Sequence, residues 1–231
     1  KVTIDRMKLR GKEVIASLPG FSAFVTLLSF PEMNPQDLQK AVVYQARQYI
    51  PSSLSDVALD WIKVGEREDS SGLTYQQVFL ISVPQDTIRR YQNIFKSAGL
   101  TLTALEIESL SLARSVVGRD PTPTVIADIG SRSTAIAIID AGGLKYAGQT
   151  DFAGSSLTQA IASSLSINPL RAEELKRERG ILATGPNYEL STIMLPFLDG
   201  ILSEVKRSIT SYEAQVPGAP KIERCILSGG G

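Results

Sequence analysis

The sequence predicts an α/β protein built as two successive units, and three observations carry that reading. Strand-like and helix-like stretches alternate with short connections, the pattern of a layered α/β fold rather than an all-β sandwich. Asp120-Pro121-Thr122-Pro123 breaks the chain with two prolines in three residues, which can neither continue a helix nor join a central strand. Beyond it, three apolar runs at residues 124–130, 133–140 and 144–152 are separated by tight turns and read as a meander. Residues 1–120 and 121–231 are the two units expected.

Taken in order, EVIASL (residues 13–18) and AFVTLLSF (23–30) are apolar runs broken by Pro19-Gly20, and predict two strands joined by a turn. Asn34 followed by Pro35 supplies an N-cap and a first helical residue. Leu38, Ala41, Val42, Gln45, Ala46 and Tyr49 then recur at helical spacing, so a helix spans 36–49 and Pro51 ends it. VALDWIKVGE (57–66) alternates as a half-buried strand. EDSSG (68–72) is a polar turn, and YQQVFLISVP (75–84) completes a hairpin. A helix over 85–98 is capped by Gly99, LTLTALEIE (100–108) is a strand, and 109–117 is helical again. In the second unit the meander leads to a helix over 154–165, a helix over 169–179 stopped by Gly180, and a longer helix from about Pro196 to Gln215. The strand KIERCILS (221–228) closes the chain and runs into three glycines.

Composition removes several function classes. With 231 residues and 43% hydrophobic content the chain can bury a substantial core. Its 24 basic and 24 acidic residues leave no net field to attract a polyanion, so nucleic acid is not an expected partner. No histidine occurs, which excludes Ser-His-Asp triads, Cys-His dyads and histidine zinc sites together. The single cysteine, Cys225, lies in an apolar run; it cannot form an internal disulfide, has no histidine to activate it, and suits a reducing cytosol. No apolar stretch approaches the roughly 20 residues of a membrane span, and no signal sequence opens the chain. The start at Lys1 and the end at Gly231, inside a strand-to-turn transition, suggest part of a longer protein.

Four features carry candidate chemistry. In ADIGSRSTAIAIID (127–140), Asp128 ends a buried strand, Gly130 permits close backbone approach, and Ser131, Ser133 and Thr134 place hydroxyls at the turn. Such a turn suits a phosphate, with Asp128 holding Mg²⁺ directly or through water; an ordinary hairpin with a polar turn fits the same residues. In ILSGGG (226–231), Gly229, Gly230 and Gly231 carry a high entropic cost unless the backbone needs positive φ or close approach to a flat ligand; a flexible tail is the alternative. Glu173 and Lys176 share one helical face and could meet a ribose and a purine, although such pairs are usually solvated. Glu106 and Glu108, where a strand enters a helix, are the carboxylates that could orient a catalytic water.

In this order the features resemble the actin/Hsp70/sugar-kinase superfamily: ADIGSRST is similar to its second phosphate loop, SLSLARSVV to its connecting helix, Glu173-x-x-Lys176 to its purine-side helix and ILSGGG to its adenosine loop. Within it, QARQYIPSSLSDVALDW (45–61), LLSFPEMNPQDLQKAV, SAGLTLTALEIES and AEELKRERGIL resemble the PilM family of type IV pilus assembly, related to the division protein FtsA. The resemblance runs from about Val14 to Gly231. It implies an actin-like (ribonuclease H-like) two-lobed fold with an FtsA-type inserted subdomain at about 20–84. It also implies ATP and Mg²⁺ as ligands, with Ser131, Ser133 and Thr134 toward phosphates and Glu173, Lys176 and Gly229 to Gly231 toward the nucleoside. The implied partner is the cytoplasmic N-terminal tail of PilN, with other pilus assembly proteins, at the cytoplasmic face of the inner membrane. A first phosphate loop before Val14 and a helix after Gly231 are missing from the pattern, so ATP binding is expected of the intact protein and hydrolysis is expected to be weak or absent. A small-molecule kinase of the same superfamily, or an FtsA-like or type II secretion relative, are the alternatives, and homo-oligomerisation stays open.

Overall fold

The computed structural model describes residues 6, 11–50, 53–68, 71–181, 188–216 and 218–231. Pro51 as a helix stop and residues 69–70 of the predicted polar turn lie outside them. The chain divides into two compact units, Lys1–Gly118 and Arg119–Gly231.

In the first unit, strand β1 (Glu13–Leu18) and strand β2 (Phe24–Pro31) are joined by a turn, as the sequence predicts, but belong to different sheets. A short 3₁₀ turn at Gly20–Ser22 separates them, and Gly20 N donates to Glu108 Oε1 at 2.6 Å, which directs the chain out of the first sheet. Strand β2 joins the antiparallel order β2-β4-β3, with β3 at Val57–Glu68 and β4 at Thr74–Pro84. Helix α1 (Pro35–Tyr49) begins as predicted: Asn34 Oδ1 accepts from Asp37 N at 2.9 Å, and Pro35 takes the first helical position. Its Leu38, Val42 and Ala46 enter one core with Leu28, Phe30, Val57, Val78 and Leu80. Burying Leu38 and Val42 stabilises by about 1.5–3 kcal/mol each, so packing rather than propensity holds this helix.

Helix α2 (Gln85–Ser97) ends at Ala98, with Gly99 at φ 77°, the left-handed position that the sequence assigned it. Strand β5 (Thr101–Ile107) follows and pairs in parallel with β1, from Glu13↔Thr101 to Leu18↔Ile107. The predicted helix after it is α-helical only as α3 (Glu108–Leu112) and continues as a π turn over Ala113–Val117, closed by Gly118 N donating to Ala113 O at 2.9 Å.

The second unit is built on the sheet order β8-β7-β6-β9. Strands β6 (Thr124–Ile129), β7 (Thr134–Asp140) and β8 (Gly143–Thr150) form the antiparallel meander. Ala141 and Gly142, both at positive φ, make the two-residue turn between β7 and β8, whose twist suits a hairpin. Helices α4 (Gly154–Leu165) and α5 (Pro169–Arg179) have the predicted bounds. Helix α6 (Tyr188–Gln215) begins eight residues earlier than predicted and carries Pro196 inside it. Buried Leu190 and Met194 pack with Leu157, Ile161, Ala162 and Ala172, and this core outweighs the hydrogen bond that Pro196 forfeits. Further along α6, Tyr212 is fully buried among Val125, Ile136 and Ile138, and its hydroxyl donates to Asp140 Oδ2 at 3.2 Å.

Strand β9 (Arg224–Gly229) runs parallel to β6 in unbroken register from Thr124↔Arg224 to Ile129↔Gly229. Its side chains alternate between a half-buried and an exposed face, and Cys225 lies on the exposed one rather than enclosed in the apolar run around it. Because the two strands are parallel and level, the loops that leave them emerge side by side. That placement creates the site.

Candidate functional site

Three backbone segments close on one another at the ends of β6 and β9. Gly231 N donates to Ile129 O at 2.8 Å, Gly154 N to Gly130 O at 3.0 Å, and Ser155 N to Ser131 O at 2.8 Å. The first amides of α4 are therefore spent on the carbonyls of the loop after β6, which fixes that loop against the helix. Glycine is required by contact here. Gly229 sits at φ 102°, and a Cβ on it would overlap the Ile129 carbonyl; a Cβ on Gly231 would overlap Gly130 O, and one on Gly154 would lie 2.7 Å from Gly231 Cα. Gly230 differs, since a Cβ there meets nothing within 4 Å.

The loop itself is a tight turn, with Gly130 N donating to Ser133 O at 3.0 Å. Ser131 is exposed and Ser133 half-buried. Thr134 is fully buried, and its hydroxyl donates to Phe152 O at 2.6 Å, so that hydroxyl holds the loop to the segment entering α4 instead of facing outward. Asp128 is half-buried, level with Ser228 of β9 and Ala135 of β7, and among the described residues its carboxylate has no hydrogen bond or ion pair. Among the described residues no group of three or more acidic, Cys or His side chains could hold a metal ion.

The opposite wall is made of side chains from α4 and α5. Asn168 Oδ1 accepts from Arg171 N at 2.8 Å and sets the start of α5, which brings Glu173 and Lys176 to face α4. Thr158 lies one turn into α4, with Oγ1 at 2.9 Å from Gly154 O and 2.5 Å from Glu173 Oε2. Lys176 Nζ reaches Glu173 Oε2 at 2.8 Å, Gly154 O at 3.1 Å and Thr158 Oγ1 at 3.1 Å. These three partners take all three ammonium hydrogens. Arg177 Nε donates to the other oxygen, Glu173 Oε1, at 2.7 Å. Lys176, then Thr158, hold the Glu173 carboxyl down at about 2, so it is an ionised acceptor throughout the neutral range.

Between the walls lies a cleft of about 400 Å³. Of the residues singled out in the sequence, Ser131, Glu173, Lys176, Gly230 and Gly231 line it, while Gly130 and Gly229 shape the backbone beneath. Asp128, Ser133 and Thr134 are not among its lining. Thr158, Gln159, Leu170 and Arg177 line it as well. The sequence offered a signal for Arg177, four residues after Glu173 on one helix, and none for Thr158, whose link to Glu173 spans 15 residues. Glu106 and Glu108 belong to the first unit and are both engaged there. Arg114 grips Glu106 with two hydrogen bonds, of 2.8 and 2.5 Å, and holds its carboxyl below the usual range; Glu108 accepts from Gly20 N.

The sequence profile described as type IV pilus assembly protein PilM matches residues 1–231. The chain belongs to the PilM family. A chain of the PilM–PilN type IV pilus biogenesis complex is similar over 99% of this chain and 65% of its own length, with a TM-score of 0.79 and 22% identity. The PilM-family chain thus spans less than two thirds of that relative, and its fold is mixed α/β. Partial similarity extends to MreB5 of Spiroplasma citri bound to AMPPNP (TM-score 0.48, 19% identity, 64% of this chain and 54% of that one). It extends also to the ethanolamine utilization protein EutJ from Carboxydothermus hydrogenoformans (TM-score 0.47, 24% identity, 60% and 46%). Among the described residues no helix is long and apolar enough to cross a membrane.

Proposed function

We propose that this PilM-family chain carries the nucleoside and second phosphate side of an ATP site, in a scaffold that docks the cytoplasmic N-terminal tail of PilN at the inner face of the bacterial inner membrane. The observation that supports the nucleotide reading most is the cleft itself: one wall is backbone with exposed Ser131 and an open Gly230, and the other presents an ionised Glu173. Residues of these types fit a nucleotide. Ser131, Ser133 and the backbone of their turn suit phosphate oxygens, Glu173 suits hydroxyl donors of a ribose, and Gly230 leaves room for a flat group. Mg²⁺ needs only one or two carboxylates beside phosphate oxygens and water, and Asp128, unengaged among the described residues, suits that part. Bound ATP would supply the charge and bulk that distinguish the nucleotide state from the empty one.

In this reading the chain's own residues bind and position rather than cleave. Glu106 and Glu108 are committed to Arg114 and Gly20, which supports a slow or dispensable turnover and a role for ATP as a conformational effector. Residues 1–120 are the remainder of a first lobe, with the sheet of β2, β3 and β4 and helix α1 as the inserted subdomain at about 20–84, and residues 121–231 form the second lobe. PilN and other pilus proteins would bring the scaffold to the membrane.

Titration of the intact protein with a labelled ATP analogue, and separately with a peptide of the PilN cytoplasmic tail, tests both halves. Asp128→Ala is expected to weaken Mg-ATP binding about tenfold with an unchanged melting temperature in the absence of nucleotide. Unchanged affinity would remove Asp128 from the site, and absent tail binding would sink the scaffold reading.

A further inference from the structure

The two edges of the sheet β2-β4-β3 differ in a way that its core does not require. Outer strand β3 carries Asp60, Lys63, Glu66, Arg67 and Glu68, and its register against β4 shifts between Lys63 and Gly65. Charge and a bulge are the devices that keep an open strand edge from pairing with another chain. The opposite edge has neither. Strand β2 reads FVTLLSFP, without a charged residue, and keeps an unbroken register with β4 from Phe24↔Ser82 to Pro31↔Tyr75. The other strands at sheet edges each carry a charge as well, with Glu13 in β1, Glu106 in β5, Lys145 in β8 and Arg224 in β9.

Leu28 and Phe30 of β2 are committed to the core under α1. The outer edge of the strand is uncommitted: among the described residues β2 pairs with no strand but β4, and Ser29 is exposed. Phe24 and the preceding Phe21 expose 38% and 43% of their surface, so apolar area continues to the start of the strand. Every second residue of an edge strand turns its N–H and C=O away from the sheet, and at ~3.4 Å per residue the eight residues of β2 offer such groups over about 27 Å. An uncharged run rich in aliphatic and aromatic residues, with open backbone groups, is a template for strand addition.

The occupant of such an edge has to be extended and free of charge along the same length. Among the edge strands described, β2 itself is the one with that chemistry. We propose that β2 is a self-association edge at which two copies of the chain pair β2 with β2, antiparallel about a twofold axis, joining two three-stranded sheets into one of six strands. Residues directly opposite share a face of the sheet when the axis passes through a residue. An axis through Leu27 sets Phe24 beside Phe30 of the other copy and Val25 beside its Ser29, which opposes aromatic to aromatic and no charge to any charge. Pro31, which has no N–H, then falls outside the ladder. A contact one strand wide is at the small end of protein interfaces, so the dimer is weak and concentration-dependent, with a dissociation constant of about 10–100 µM. This inference does not depend on the nucleotide reading.

The test is sedimentation velocity of the intact protein, without nucleotide, from about 1 to 300 µM, for wild type, Ser29→Lys and Gln39→Lys, with a thermal melt of each. Wild type is expected to move from monomer to dimer across this range. Ser29→Lys, which places a charge on the edge, is expected to raise the dissociation constant about tenfold or more with an unchanged melting temperature. Gln39→Lys adds the same charge at an exposed position of α1 and is expected to associate as wild type does. Amide exchange of wild type at the two ends of the range is expected to slow in residues 24–30 with concentration and to stay as it was in β3; this measurement decides the matter if Ser29→Lys lowers the melting temperature. A protein that stays monomeric throughout overturns the proposal, and so does association that Ser29→Lys leaves unchanged or that protects other segments in place of β2. If a peptide of the PilN cytoplasmic tail slows exchange in β2 of the monomer and no dimer forms, the edge belongs to a partner peptide and self-association is overturned.

Discussion

The two walls of the cleft are made by opposite means. One is backbone on backbone, where Gly229, Gly231 and Gly154 meet Ile129, Gly130 and each other with no space for a methyl group. The other is a network of side chains in which one carboxylate, one hydroxyl, one ammonium and one guanidinium satisfy each other across two helices. The first wall is rigid by steric exclusion and indifferent to pH. The second is rigid by charge and hydrogen bonding, so it responds to protonation and can be retuned one atom at a time.

The largest expected effect separates the walls by size alone. Gly229→Ala adds a Cβ that would collide with the Ile129 carbonyl at a φ of 102°, and should destabilise the protein by about 3 kcal/mol or more, read as a fall in the urea midpoint. A midpoint near wild type would mean that β9 can move off β6 at little cost, and the backbone wall would lose its claim to rigidity.

A smaller effect separates the walls by pH. Glu173 titrates at about 2 in the folded protein against an ordinary value of 4.5, so its contribution is fully present above about pH 4.5 and is lost as pH falls through about 2. The stability difference between wild type and Glu173→Gln should therefore shrink as pH is lowered across that window. A difference that stays constant would show that the carboxylate's partners do not favour its charge. Smallest of all should be Gly230→Ala, which meets open space and should change the midpoint by no more than about 0.5 kcal/mol, although it sits between two intolerant neighbours.

The same division decides what could be read from the sequence. Local signals were legible: Asn34-Pro35 starts a helix, Gly99 ends one, Gly180 stops another, and Glu173 with Lys176 declares a helical face. Pairing was not, because nothing local tells β1 to seek β5 some 90 residues away rather than its neighbour β2. Pro196 was a misleading start: the helix begins at Tyr188 and runs through it, held by the packing of Leu190 and Met194. Within the site, the glycines at 229 to 231 were conspicuous, yet the reason for two of them is the Ile129–Gly130 backbone, 100 residues earlier, rather than a ligand. Thr134 looked like a phosphate hydroxyl and is instead committed to Phe152 O. Thr158 gave no signal, since a threonine within a helix acquires its meaning only from what a second helix places beside it.

Amide hydrogen exchange of the intact protein with and without Mg-ATP tests the central claim most directly. The account predicts slowed exchange confined to peptides covering the loop after β6 (residues 129–133), the start of α4, the first two turns of α5 and residues 229–231, the segments that form the two walls. Saturating ATP that leaves all four segments exchanging as before would contradict it.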